Sequence, residues 1–156
     1  MIPLLLAAGA VSWAALLLAA PVLPVGVAAW LDAAGSLICH QMPDRSFVIG
    51  PGQLPVCGRC LGLYAGAAAG AVVALAQGGV APARAALSGR AARWTVGLAA
   101  VPTAATLAFE WSGLWAGSSA VRCVAGVVLG GAAAIVVMRA VAAPAHQAVR
   151  DHGLLD

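Results

Sequence analysis

No charged side chain occurs before Asp32, and none falls between Arg59 and Arg84, between Arg93 and Glu110, or between Arg122 and Arg139. Such runs decide the folding medium. A helix needs about 20 apolar residues to cross a bilayer, and lipid offers the backbone no hydrogen-bond partners, so a spanning segment must satisfy its own. The composition agrees, with 63% of residues hydrophobic and 8% charged, against about 25% charged in a soluble domain. A soluble protein is excluded. The 156 residues leave room for about four spans, so the expected fold is an all-α membrane protein, a four-transmembrane-helix bundle.

The first span is expected over residues 3–23. A cleaved signal peptide would also be apolar here, with LAAP imitating a small-residue cleavage site, but the basic segment that leads such a core is missing. From Pro24 to Cys39, the residues Val27, Trp30, Leu31, Ala34, Leu37 and Ile38 recur at helical spacing with Asp32 and Ser36 off their face. This predicts a short interfacial amphipathic helix. Pro43, Gly50, Pro51, Gly52 and Pro55 rule out a continuous helix between Gln41 and Val56 and predict a constrained Pro/Gly-rich loop.

A second span is expected from Cys57 to about Gln77, where Gly58, Gly62, Gly66 and Gly70 form one stripe that admits another backbone. That stripe could close the bundle on itself or pair two copies as a homo-oligomer. Residues 78–93 read as a loop, 94–109 as the third span and 120–141 as the fourth, with Arg122 on the same close-packing face as Gly126. The expected organisation is one integral helical domain over 1–141 and a short polar cytoplasmic tail over 142–156, in which His146 and His152 are solvated.

All eight basic residues are arginines, scattered rather than gathered into a nucleic-acid footprint; the partner they imply is the lipid bilayer. Four spans put Arg84, Arg90, Arg93, Arg139 and Arg150 on the side of both termini, and Arg45, Arg59 and Arg122 on the other. By the positive-inside rule the first side is cytoplasmic, in a cell (inner) membrane, and Trp30, Trp111 and Trp115 mark the outer boundary. Cys39, His40, Asp44, Arg45, Cys57, Arg59, Cys60, Glu110, Arg122 and Cys123 then meet at the extracytoplasmic end, which predicts a single pocket.

Cys57 and Cys60 form a CxxC pair at a helix N-terminus, where free N–H groups and the dipole stabilise thiolate, and Arg59 adds positive charge. In a metal reading, Cys39, His40, Cys57 and Cys60 supply a zinc-like ligand set. Adjacent Cys39 and His40 do not easily share one ion, which leaves three ligands and an open position for catalysis. Glu110 is then the candidate general base, and Arg122 and Arg45 position an anionic group. In a redox reading, Cys57 and Cys60 are a membrane thiol–disulfide oxidoreductase pair working with a quinone or thiol partner, resolved by Cys39 or Cys123. In a structural reading, a disulfide pins the loop while Arg59, Arg122 and Glu110 form a buried ion-pair network. Cys123 alone reads as a packing residue, and Tyr64 as an interface anchor or a donor into the site. A transporter is disfavoured because no ionisable residue lies near the middle of a span.

Cys39, His40, Gln41, Pro43, Arg45, Ser46, Phe47, Gly50, Leu54, Pro55, Val56, Cys57, Arg59, Cys60, Gly62, Tyr64 and Gly66 together resemble the signature of the DUF2085 family of small membrane proteins. Downstream, Glu110, Arg122 and Gly126 also resemble the family, which more often carries Asp where Glu110 stands. The resemblance covers roughly residues 37–130. It implies one multi-pass domain and brings no activity with it.

Overall fold

The computed structural model describes residues 1–78 and 89–151. Helix α1 (Ile2–Ala19) ends in a 3-10 turn (Ala20–Val22) at Pro21, and Pro24 precedes α2 (Val25–Ser36). A second 3-10 turn (Pro43–Arg45) leads into strands β1 (Ser46–Ile49) and β2 (Gly52–Cys57), followed by α3 (Gly58–Gly78), α4 (Gly89–Trp111) and α5 (Ser119–Asp151). Among the described residues, three segments are long and apolar enough to cross a membrane: Ile2–Val22, Gly58–Gln77 and Ser119–Ala142. The fourth expected span coincides with α4, which Pro102 and its threonines make less apolar.

Helices α3 and α5 form the centre. A Cβ at Gly58, Gly62, Gly66 or Gly70 would run into the α5 backbone at Ser119, Cys123, Val127 and Gly131 respectively. From the other side, Gly126 and Gly130 of α5 lie against the carbonyls of Arg59 and Leu63. The glycine stripe is therefore filled by the chain's own fifth helix. Close backbone packing of this kind holds helices together where lipid is as apolar as the side chains. Helix α1 packs against α3, and α4 against α5.

The segment expected as an irregular loop contains an antiparallel hairpin, with Val48 opposite Gln53 and Ile49 opposite Gly52 and an irregularity between Ser46 and Val48. Its residues looked like breakers because Gly50, at φ 57°, and Pro51 make the turn, while Pro55 sits in a two-stranded sheet where a missing N–H is tolerated. Leu54 and Val56 are fully buried, in a core with Leu17, Leu61 and Cys39. Gln41 ties this hairpin to α2: its Nε2 donates to the Asp32 carbonyl at 2.8 Å and to the Pro55 carbonyl at 2.7 Å. Its own carbonyl accepts from Gln53 Nε2 at 2.9 Å.

On α2 and the turn that follows it, Leu31 and Gly35 are buried, while Val27, Trp30, Leu37 and Ile38 are exposed, so most of the expected apolar stripe faces away from the protein. Arg90 and Arg93, expected in a loop, stand on the first turns of α4, and α5 continues past residue 141 to Asp151. The rest of the expected loop, with Arg84, and His152 in the tail lie outside the described residues.

A matched pair of substitutions tests the central contact. Gly62→Ala drives a methyl group into a backbone carbonyl and should destabilise the folded protein by about 1–3 kcal/mol. Gly97→Ala, where a Cβ meets open space, should be neutral or stabilise by up to about 1 kcal/mol. Thermal unfolding in detergent micelles distinguishes the two.

Candidate functional site

Strand β2 ends on Cys57, α3 carries Cys60 in its first turn, and the segment leaving α2 brings in Cys39. Their three sulfurs lie within 4.8 Å of one another. All three are free thiols, Cys39 buried and the others half-buried. The Cys57 N–H donates to Cys39 Sγ at 3.2 Å. The Cys57 thiol is itself pushed down to about 5, first by a hydrogen bond from the Cys60 thiol. Burial pushes it the other way, and the Cys60 and Arg59 N–H groups and the Cys39 thiol help lower it. Those N–H groups belong to the first turn of α3, where helix geometry leaves donors without intrahelical partners. Cys57 is thus surrounded by donors that favour its charged form, which both metal binding and nucleophilic attack require.

The wall behind the sulfurs is apolar, built from Leu17, Leu54, Val56 and Leu61 with Trp13 and Tyr64. The Trp13 and Tyr64 rings meet edge to face at 6.0 Å. Cys123 packs into this wall. His40, expected as a fourth ligand, is exposed and lies outside the sulfur group. It leaves a non-helical segment next to Cys39, and neighbouring side chains there do not converge on one point.

A second cluster occupies another face of α3. Glu110, at the end of α4, has a side chain only 4% exposed, and its Oε1 accepts from Arg122 Nε at 2.9 Å and from Arg59 Nη2 at 3.1 Å. Arg45 Nη1 stands 3.8 Å from Oε2, too far for a hydrogen bond. Arg59 Nη2 also donates to Thr106 Oγ1 at 3.2 Å. The Thr106 hydroxyl donates to the Thr103 carbonyl at 2.9 Å, and Thr103 Oγ1 to the Ala125 carbonyl at 3.0 Å, which links α4 to α5. Thr103 and Thr106 were not anticipated as site residues. Their signal was available, since residues 103, 106 and 110 follow i, i+3, i+7 spacing on an otherwise apolar helix.

Glu110 sits at a helix C-terminus and Arg122 at a helix N-terminus, each at the end whose dipole opposes its charge, at a cost of about 0.3–1 kcal/mol apiece. Breaking a buried ion pair costs about 3–5 kcal/mol, so the pairing decides their placement. The single pocket expected from sequence is therefore two clusters at one end of the bundle, a thiol group and an arginine–glutamate group, sharing the first turn of α3.

The profile of the family described as "Predicted membrane protein (DUF2085)" matches residues 39–136, a range that holds every member of both clusters. Among curated proteins, the chain is 51% identical over 43 residues to "Uncharacterized protein MJ1492" of Methanocaldococcus jannaschii. That stretch is 28% of this chain and 28% of that protein. No solved structure matches.

Replacing Glu110 with Gln leaves three guanidinium groups sharing no carboxylate, and should destabilise the protein by about 3–5 kcal/mol. Adding Arg122→Met should recover part of that loss, because it removes the most deeply buried of the charges left unpaired. Thermal unfolding of the single and double variants in micelles checks both statements.

Proposed function

The chain belongs to the DUF2085 family of membrane proteins, and from that premise we propose a multi-pass protein of the cell membrane that holds a transition metal at the extracytoplasmic end of a four-helix bundle. The observation that carries this reading is the convergence of Cys39, Cys57 and Cys60. A disulfide uses two sulfurs and leaves the third idle; a metal uses all three. Thiolate ligands suit zinc, whose bonds of about 2.3 Å set tetrahedral sulfurs about 3.8 Å apart, inside the 4.8 Å envelope. Zinc is the metal we assign.

Three protein ligands leave one position open, and an ion bound this way supplies Lewis acidity. The arginine–glutamate cluster, on another face of α3, is then a separate anion site, in which Arg45 and Arg122, gathered around Glu110, hold an anionic group. The fourth crossing is α4. Its 23 residues extend about 35 Å against a hydrocarbon core of about 30 Å. Trp94, Leu98, Val101 and Phe109 are exposed along it, as a lipid-facing surface requires. With four crossings, Arg90, Arg93 and Arg139 lie at the end away from the clusters, which the positive-inside rule assigns to the cytoplasm.

A second reading is favoured by the low-lying Cys57 thiol beside Cys60, a dithiol suited to exchange with a quinone or thiol partner. Metal analysis separates the two. Under the first reading, purified protein carries about one equivalent of zinc, Cys57→Ser abolishes it, and chelation loosens the hairpin. A metal-free protein with a Cys57–Cys60 bond that reductant opens reversibly would establish the dithiol, and a bond that resists reductant would make the thiols structural.

A further inference from the structure

Four buried polar atoms around Glu110 have no hydrogen-bond partner: Arg45 Nε, Arg59 Nε, Arg122 Nη1 and Glu110 Oε2. Three arginines share one buried carboxylate, and the nearby Asp44 is 66% exposed and 3.6 Å from Arg45. The buried part of the cluster holds more positive than negative charge and more donors than acceptors, an expensive state unless something supplies the missing oxygens. Arg45 is the open side of the cluster, with its side chain 39% exposed and both of its ion-pair contacts longer than a hydrogen bond.

Beside the cluster, α4 and the turn after it form an open groove of about 560 Å³ lined by Pro102, Ala105, Thr106, Phe109, Leu114 and Trp115, within the usual range for ligand pockets of about 300–1,000 Å³. Thr106 belongs to both places: it lines the groove and accepts the hydrogen bond from Arg59. The remaining walls are apolar. From Glu110 the groove follows α4 back to Pro102, about 12 Å along the helix axis, away from the end that carries the charges.

We infer that this site binds an amphiphile, a lipid whose anionic phosphate is taken by Arg45 and Arg59 and whose acyl chain lies in the α4 groove. The inference rests on the arginine half of the proposed function and is independent of the thiols. The guanidinium fork matches phosphate oxygens in pairs, and Glu110 holds the forks in place from behind. Neither half of the site is satisfied alone. Inorganic phosphate leaves the apolar groove empty, and a lipid without phosphate leaves the donors short of acceptors.

The test is native mass spectrometry of the full chain released from micelles and titrated with phosphatidylglycerol, diacylglycerol or inorganic phosphate. Phosphatidylglycerol should bind at least about tenfold more tightly than diacylglycerol, which has the same acyl chains and no phosphate, the factor expected of a charge-assisted hydrogen bond. Arg45→Gln, at the half-exposed arginine, and Ala105→Trp, which fills the groove from an exposed position, should each lower that affinity by about tenfold. Arg139→Gln, which removes the same charge from the residue bonded to Gln77, should leave it unchanged. Equal binding of the two lipids, full displacement by inorganic phosphate, or an equal loss in Arg139→Gln would overturn the inference. Zinc content is measured on the same samples. Its absence from the parent protein sinks the metal reading and leaves the lipid result standing, whereas zinc retained in Arg45→Gln while lipid affinity falls supports both.

Discussion

The approach of α3 to α5 is the contact on which the rest depends. Six glycines are spent on it, four from α3 and two from α5, and at each the partner's backbone occupies the space a side chain would need. Lipid gives two apolar helices no hydrophobic reason to associate, so dense backbone packing must supply the attraction. The same contact sets where Arg59 and Arg122 stand, since both lie in the first turns of the packed helices. A slip of one helix along the other would carry these two guanidinium groups apart and leave Glu110 unpaired. The bundle's packing and its polar network are therefore one constraint, seen in the membrane interior and at its edge.

The helices were legible from sequence because each is local. Uncharged runs and a glycine every fourth residue state the length and inner face of α3 without reference to any partner. The hairpin was not legible. Pro51 and Pro55 read as breakers, and only the pairing of Val48 with Gln53 and Ile49 with Gly52 shows them as a turn and a strand residue. Gln41 is similar: it looks like one more polar loop residue until its side chain is seen joining Asp32 to Pro55. Information of that kind resides in contacts between distant residues, and no periodicity carries it.

The candidate site was legible as a set of residues at one end of a bundle and illegible as a geometry. Cys39 reached the CxxC pair, as the proline-rich connection suggested, and Glu110 met Arg45, Arg59 and Arg122 across four separate segments. His40 did not follow its neighbour Cys39. Charge and chemistry indicate which residues cannot be left alone in an apolar setting, but the direction of a side chain off an irregular backbone depends on turns such as that at Gln41, whose φ is 50°.

Why two clusters form instead of one follows from the helix itself. Successive residues of an α-helix are turned by about 100°, so the opening turn of α3 presents three different sides. Gly58 and Gly62 face α5, Cys57, Cys60 and Tyr64 share a face with Trp13 and the hairpin core, and Arg59 points across to Thr106 and Glu110 of α4. Each neighbour receives the chemistry suited to it. The hairpin and α1 close an apolar wall around sulfur, α5 takes bare backbone, and α4 receives the charge. Because Arg59 lies between Cys57 and Cys60 in sequence, the peptide units that donate to sulfur on one side also carry the guanidinium on the other. The position of this one turn therefore fixes both clusters together.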